Sequence, residues 1–168
     1  MTTLPGVRVA WREIPPGVER RAVSRAVLAE LLPDARFVSR CPSCGGAHGR
    51  VRVEGADAAV SVSYALRWAV VAVTLEHSQI GVDAVPAGAA GLERVLPDGA
   101  DALAWARVEA VLKADGRGIL VDPARAQIEL DEHGWIARVQ EAGADDVVWR
   151  GNDVEAPHGI VAAVAIGP

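Results

Sequence analysis

Two uninterrupted apolar segments, WAVVAVT (68–74) and GIVAAVAI (159–166), sit at matching places in the two halves of a 168-residue chain. Each falls far short of the ~20 residues that cross a bilayer, and each reads as a buried strand. Each half reads as one long helix followed by several strands. The pattern points to an α+β protein made of two similar subdomains, 1–79 and 80–168, that share an interface. A ligand cleft between such halves is the expected site.

The first helix is read over 18–32 (VERRAVSRAVLAELL), where Val23, Ala26, Val27, Leu31 and Leu32 recur at near-helical spacing and Pro33 stops the run. Strand-like runs follow at 36–40, 50–54, 58–63, 68–75 and 80–84. The Gly and Pro content of 41–49 (CPSCGGAHG) marks a loop, as it does for 86–90. A second helix is expected over 101–114, capped by Asp98 or Asp101 and ended by Asp115-Gly116. The remaining runs are 126–130, 135–140, 147–150 and the closing strand 159–166, with a turn at 131–134.

Composition narrows the class. With 51% hydrophobic residues and a net charge of −5, the chain is not of the disordered type. Its start, Met1-Thr2-Thr3-Leu4-Pro5, has no basic n-region or signal-peptide core, and two cysteines make no disulfide framework. We expect a soluble, cytoplasmic protein with no membrane partner. The acidic total and the lack of a basic-aromatic motif argue against nucleic acid.

Charge is uneven. Residues 1–50 carry eight arginines against Glu13, Glu19, Glu30 and Asp34, a net of +4, while the rest carries nine basic and 18 acidic side chains, a net of −9. A basic front suits an anionic ligand, although a solvated Arg-rich helix produces the same count. Of 17 basic residues one alone, Lys113, is a lysine, and a compact ammonium does things a guanidinium cannot.

Lys113 falls in a stripe with Trp105 and Glu109, four residues apart on the second helix. The plainest reading is a surface Glu–Lys pair; the sharper one aims both side chains at a single anionic ligand. Asp83, in the apolar run Ile80-Gly-Val-Asp-Ala-Val-Pro86, is costly to bury unless hydrogen-bonded, paired or bound to a cation. On the plain reading Asp83 lies at the strand end and meets backbone amides or water; on the sharper one it forms with Glu109 a two-carboxylate Mg²⁺ site that keeps several waters and takes phosphate oxygens. Cys41-x-x-Cys44 with His48 is too few ligands for structural zinc, and we read that stretch as a Gly-rich loop carrying two thiols. No serine lies in a nucleophile elbow, and no Walker or Rossmann glycine pattern is present. An enzyme of this kind uses a nucleophile brought by its partner.

Taken in order, CPSCGGAHGR (41–50), SVSYALRW (61–68), IGVD (80–83), WARVEAVLKA (105–114) and GIVAAVA (159–165) resemble the 4′-phosphopantetheinyl transferase superfamily, nearest its Sfp-type branch. The resemblance implies a pseudo-twofold pair of subdomains, each a long helix packed on a small, mostly antiparallel sheet, with coenzyme A and Mg²⁺ in the cleft. It implies transfer of the phosphopantetheine arm from coenzyme A to a serine of an acyl or peptidyl carrier protein, with release of 3′,5′-ADP. Asp83 and Glu109 match the Mg²⁺ ligands, and Glu109 also matches a group that helps deprotonate the serine. Lys113 matches the contact to the transferred phosphate, Arg50 a contact to coenzyme A phosphates, and Arg20 the holder of the 3′-phosphate.

The chain also departs from the family pattern. Asp-x-Glu becomes Asp83-Ala-Val85, so one metal ligand is replaced, and water can stand in for it on Mg²⁺. Ser-His becomes Ser63-Tyr64, whose phenol donates a hydrogen bond near a phosphate but carries no positive charge at neutral pH. The usual Lys before the catalytic Glu is Val108, the Pro after the Gly-basic pair is Val51, and only 21 residues separate Asp83 from Trp105. These losses keep a second expectation open, a relative that binds coenzyme A or a carrier protein and transfers nothing.

Overall fold

The computed structural model describes residues 4–41, 44–47, 49–92, 100–117, 121–139 and 147–167. Helix α1 (Arg20–Leu31) starts at Glu19, whose carboxylate accepts from the Ala22 N–H, and turns Val23, Ser24, Val27 and Leu28 inward. Helix α2 (Ala102–Asp115) is capped by Asp101, which accepts from the Ala104 N–H at 2.8 Å. It stops at Gly116 in the left-handed region, φ 85°, where a glycine has no Cβ to clash. Asp98, the other expected cap, lies outside the described residues.

Strands β1 (Val7–Glu13), β4 (Ala59–Ala65) and β5 (Trp68–Thr74) form a sheet of order β1-β5-β4. Strands β2 (Arg36–Ser39) and β3 (Val51–Glu54) pair as a separate hairpin. In the second half β6 (Ile80–Pro86), β7 (Ala126–Asp131), β8 (Gly134–Val139), β9 (Val147–Val154) and β10 (Ile160–Ile166) form a sheet of order β6-β10-β9-β8-β7. All the ladders are antiparallel. The order β6-β10-β9 repeats β1-β5-β4, and each helix follows the first strand of its trio. The protein is therefore α+β with two long helices over mostly antiparallel sheets.

One expectation needs correcting. Each half opens on a strand and not on a helix, because Val7, Val9 and Trp11 alternate with Arg8, Ala10 and Arg12, and β1 lies along β5. That period-2 pattern is the signal that finds it.

The two apolar segments become β5 and β10, the central strands of their trios. On β5, Val71 and Val73 pack under α1, while Val70 and Ala72 face the other sheet. On β10, Ala163 and Ala165 pack under α2, while Ile160, Ala162, Val164 and Ile166 face the first sheet. A strand covered on both faces is apolar throughout. The layers run α1, sheet, sheet, α2. Among the described residues no helix is long and apolar enough to cross a membrane.

The two sheets also touch where β4 runs beside β6. Ser61 Oγ accepts from the Val82 N–H at 3.0 Å and Ser63 Oγ accepts from the Ala84 N–H at 3.4 Å. Two serine hydroxyls thus satisfy amides that a ladder would otherwise pair.

Candidate functional site

The site is built at this seam. Along β6, Ile80, Val82 and Ala84 join the core between the sheets, which leaves Gly81, Asp83 and Val85 facing α2. Gly81 lets the helix come close, because a Cβ there would overlap the Ala110 carbonyl and the Ala114 amide. The approach brings the helix stripe over Asp83. Lys113 Nζ donates to Asp83 Oδ1 at 2.6 Å and to the Val82 carbonyl at 3.1 Å, and Ser63 Oγ donates to the same Oδ1 at 2.8 Å. Asp83 is buried, its side chain 8% exposed. The simple Glu109–Lys113 surface pair is not what forms, since the lysine turns to the strand.

Glu109 stands half-buried beside them. Burial raises its pKa above the usual carboxylate range, the negative charge of Asp83 raises it further, and Lys113 opposes both. Trp105, first in the stripe, is also half-buried.

Next to Lys113 opens a cavity of about 360 Å³. It is lined by Arg20, Arg21, Arg25, Arg50 and Lys113, with Ser24 and Tyr64 among its polar groups and no carboxylate among the described residues. Tyr64 is fixed from two sides. Its hydroxyl shares a hydrogen bond with Ser24 Oγ at 2.7 Å, and the Arg20 guanidinium lies over its ring at 4.9 Å. Arg25 Nη2 donates to Ser39 Oγ at 2.7 Å, while its Nη1 is buried with no partner among the described residues. Burial lowers the pKa of Arg25, against the pull of Tyr64 and with the push of Arg21. Arg50 crosses from the first half to the end of α2, where its Nη1 donates to the Ala114 carbonyl at 3.4 Å beside Gly116. Its pKa is lowered by desolvation and by Arg52, and raised by Asp115.

Of the six residues singled out from the sequence, Arg20, Arg50, Tyr64 and Lys113 line this one cavity. Asp83 is joined to it through Lys113, and Glu109 lies within electrostatic reach of both. Sequence reasoning missed Arg21, Ser24, Arg25 and Ser63. On the helix Ser24 follows Arg20 and Arg25 follows Arg21 at i, i+4 spacing, and Ser63 is signalled by Ser-x-Ser within an apolar strand. Val85 packs against the α2 core and Val51 lines the cavity wall. His48 lies outside the described residues, and among those described no group of three His, Cys, Asp or Glu side chains stands together as a metal cluster.

A buried carboxylate beside a half-buried one suits a Mg²⁺ ion that completes its shell with water and ligand phosphate oxygens. Fold and site together define an α+β protein with a cavity lined by arginines and Lys113, beside Asp83 and Glu109. The chain matches no protein-family model and no curated protein.

Proposed function

We propose that the chain is a phosphopantetheinyl transferase that moves the arm of coenzyme A onto a carrier-protein serine. The observation that carries this reading is the cavity with five cationic side chains and, among the described residues, no carboxylate, adjoining Asp83 and Glu109 through Lys113. Its volume is within the usual range for small-ligand sites, and its charge suits a ligand with several phosphates. The 4′-phosphopantetheinyl transferase resemblance supplies the identity of that ligand.

In this reading the arginines of α1 bind the 3′-phosphate, with Arg25 Nη1 receiving the acceptor it lacks, and Arg50 and Lys113 hold the diphosphate. Asp83 and Glu109 would hold Mg²⁺, which would offset negative charge on the diphosphate. The serine oxygen bonds to the phosphorus bearing the pantetheine, and the bond from that phosphorus to the bridging oxygen breaks, releasing 3′,5′-ADP. Glu109, with its raised pKa, is placed to take the serine proton. Lys113 leaves Asp83 for the transferred phosphate and stabilises its developing charge.

The 2.6 Å contact of Lys113 with Asp83 favours a second reading, in which the lysine replaces the metal and the chain only binds coenzyme A. Incubation with coenzyme A, Mg²⁺ and a panel of carrier proteins, read by intact mass, separates the two. Transfer to a carrier serine, lost in Glu109→Ala, supports the enzyme. Calorimetric binding of coenzyme A without transfer to any carrier supports the second reading, and no binding contradicts both.

A further inference from the structure

The register of the second sheet places Asp83, Ala163 and Asp153 in one row across β6, β10 and β9, so their side chains share the face that α2 covers. The two carboxylates stand roughly 10 Å apart, two strand spacings, on either side of the helix. Lys113 reaches one of them. Arg107 reaches the other, donating from Nε at 2.8 Å and Nη2 at 2.6 Å in a bidentate pair. The buried Trp135 indole N–H also donates to Asp153 Oδ1, at 3.2 Å. At 3.6 residues per turn Arg107 and Lys113 project about 60° to either side of Ala110.

Between these outriggers the contact is smooth. Ala106, Ala110 and Ala114 of the helix lie in the same buried cluster as Ala163 and Ala165, and Gly81 meets Ala110 and Ala114 directly. Small residues at this contact allow close approach and carry few knobs there, while Val108, Val111 and Leu112 share the same buried cluster with Trp135 and Trp149. The ion pairs on the flanks add a polar constraint on the rotation of the helix.

We infer that Arg107 and Asp153 are positioning residues, a clamp that keeps α2 rotated so that Glu109 faces Asp83 when Lys113 leaves Asp83 for a ligand phosphate. The second clause rests on the reading given under Proposed function; the clamp itself does not. With Lys113 withdrawn, the Arg107–Asp153 pair is the polar link between α2 and the sheet that remains among the described residues.

Amide hydrogen exchange on the metal-free protein tests the clamp. Lys113→Met and Arg107→Gln, singly, each leave α2 protected by the opposite pair. In the double variant, protection of residues 105–113 falls by more than the product of the single effects. Effects that simply multiply overturn the clamp. Where Arg107→Gln fails to fold, Arg107→Lys, which keeps the charge without the bidentate fork, is read by the same criterion.

Mn²⁺ binding in the presence of coenzyme A, followed by electron paramagnetic resonance, tests what the clamp serves. Arg107→Gln weakens Mn²⁺ by up to about 10-fold, the lower end of what losing support around a metal site costs, Arg107→Lys recovers part of this, and metal-free binding of coenzyme A is unchanged. Equal Mn²⁺ affinity in wild type and Arg107→Gln overturns the positioning role. Absence of Mn²⁺ binding by the wild type overturns the reading of the site instead, and the exchange cycle then decides the clamp alone.

Discussion

Lys113 is the residue on which most of the account turns. Its Nζ has two partners, the Asp83 carboxylate and the Val82 carbonyl, and both need a compact ammonium at the end of a flexible stem. Lys113→Arg keeps the charge but spreads it over a planar fork too wide for that corner. We expect transfer, measured as carrier mass shift per unit time, to fall by about 10²-fold, in the range of a lost transition-state donor, in a protein that still folds. Glu109 gives a pH prediction. Its pKa is raised in the folded state by burial and by Asp83, so between the unfolded and folded values the native protein holds a proton that the unfolded chain has lost. Stability therefore falls as pH rises through that window, and the loss is complete above the folded value. Glu109→Gln should raise the melting temperature at neutral pH, and the gain should vanish as pH drops below about 4.3, the ordinary glutamate value. Lys113 was legible in the sequence because it is a lone lysine among arginines. Arg25 was not, because its significance is an unpartnered Nη1, which only three-dimensional packing reveals.

Among the elements, α2 and β6 must touch closely for the site to exist. Gly81→Ala forces a methyl group into the Ala110 carbonyl and the Ala114 amide, and backbone atoms have nowhere to yield. Overpacking of this kind costs about 1–3 kcal/mol, and each kcal/mol lowers the melting temperature of a chain this size by about 2–4 °C. Calorimetric unfolding should show that loss. Helix α2 was readable to within a residue at each end, since Asp101 and Gly116 are cap residues and mark its boundaries. The strands were readable from their apolar runs, with β1 passed over despite its alternation. Sequence offered no route to the β4–β6 seam, because Ser61 and Ser63 join the strands through hydroxyls, a pairing that no periodicity encodes. The Arg107–Asp153 pair was hidden for a related reason, its members lying 46 residues apart and meeting through sheet register.

On the scale of the whole molecule, two helix-covered sheets lie face to face, and the anion cavity draws on α1 and β4 of the first half and on the end of α2 in the second. The uneven charge seen along the chain has a spatial counterpart here. Four arginines from residues 1–50 meet Lys113 in the cavity, while Asp83 and Glu109 from the acidic half stand beside it. Arginines on one side and carboxylates on the other, bridged by the Lys113–Asp83 contact, suit a polyanion on one side and a divalent cation on the other. A crystal structure of the protein with coenzyme A and Mn²⁺ tests this most directly. We expect an anomalous peak about 2.1 Å from oxygens of both Asp83 and Glu109, coenzyme A phosphates among Arg20, Arg25 and Arg50, and Lys113 moved from Asp83 onto a phosphate. Coenzyme A bound with Lys113 still on Asp83 and no metal between the carboxylates, or bound elsewhere on the surface, contradicts it.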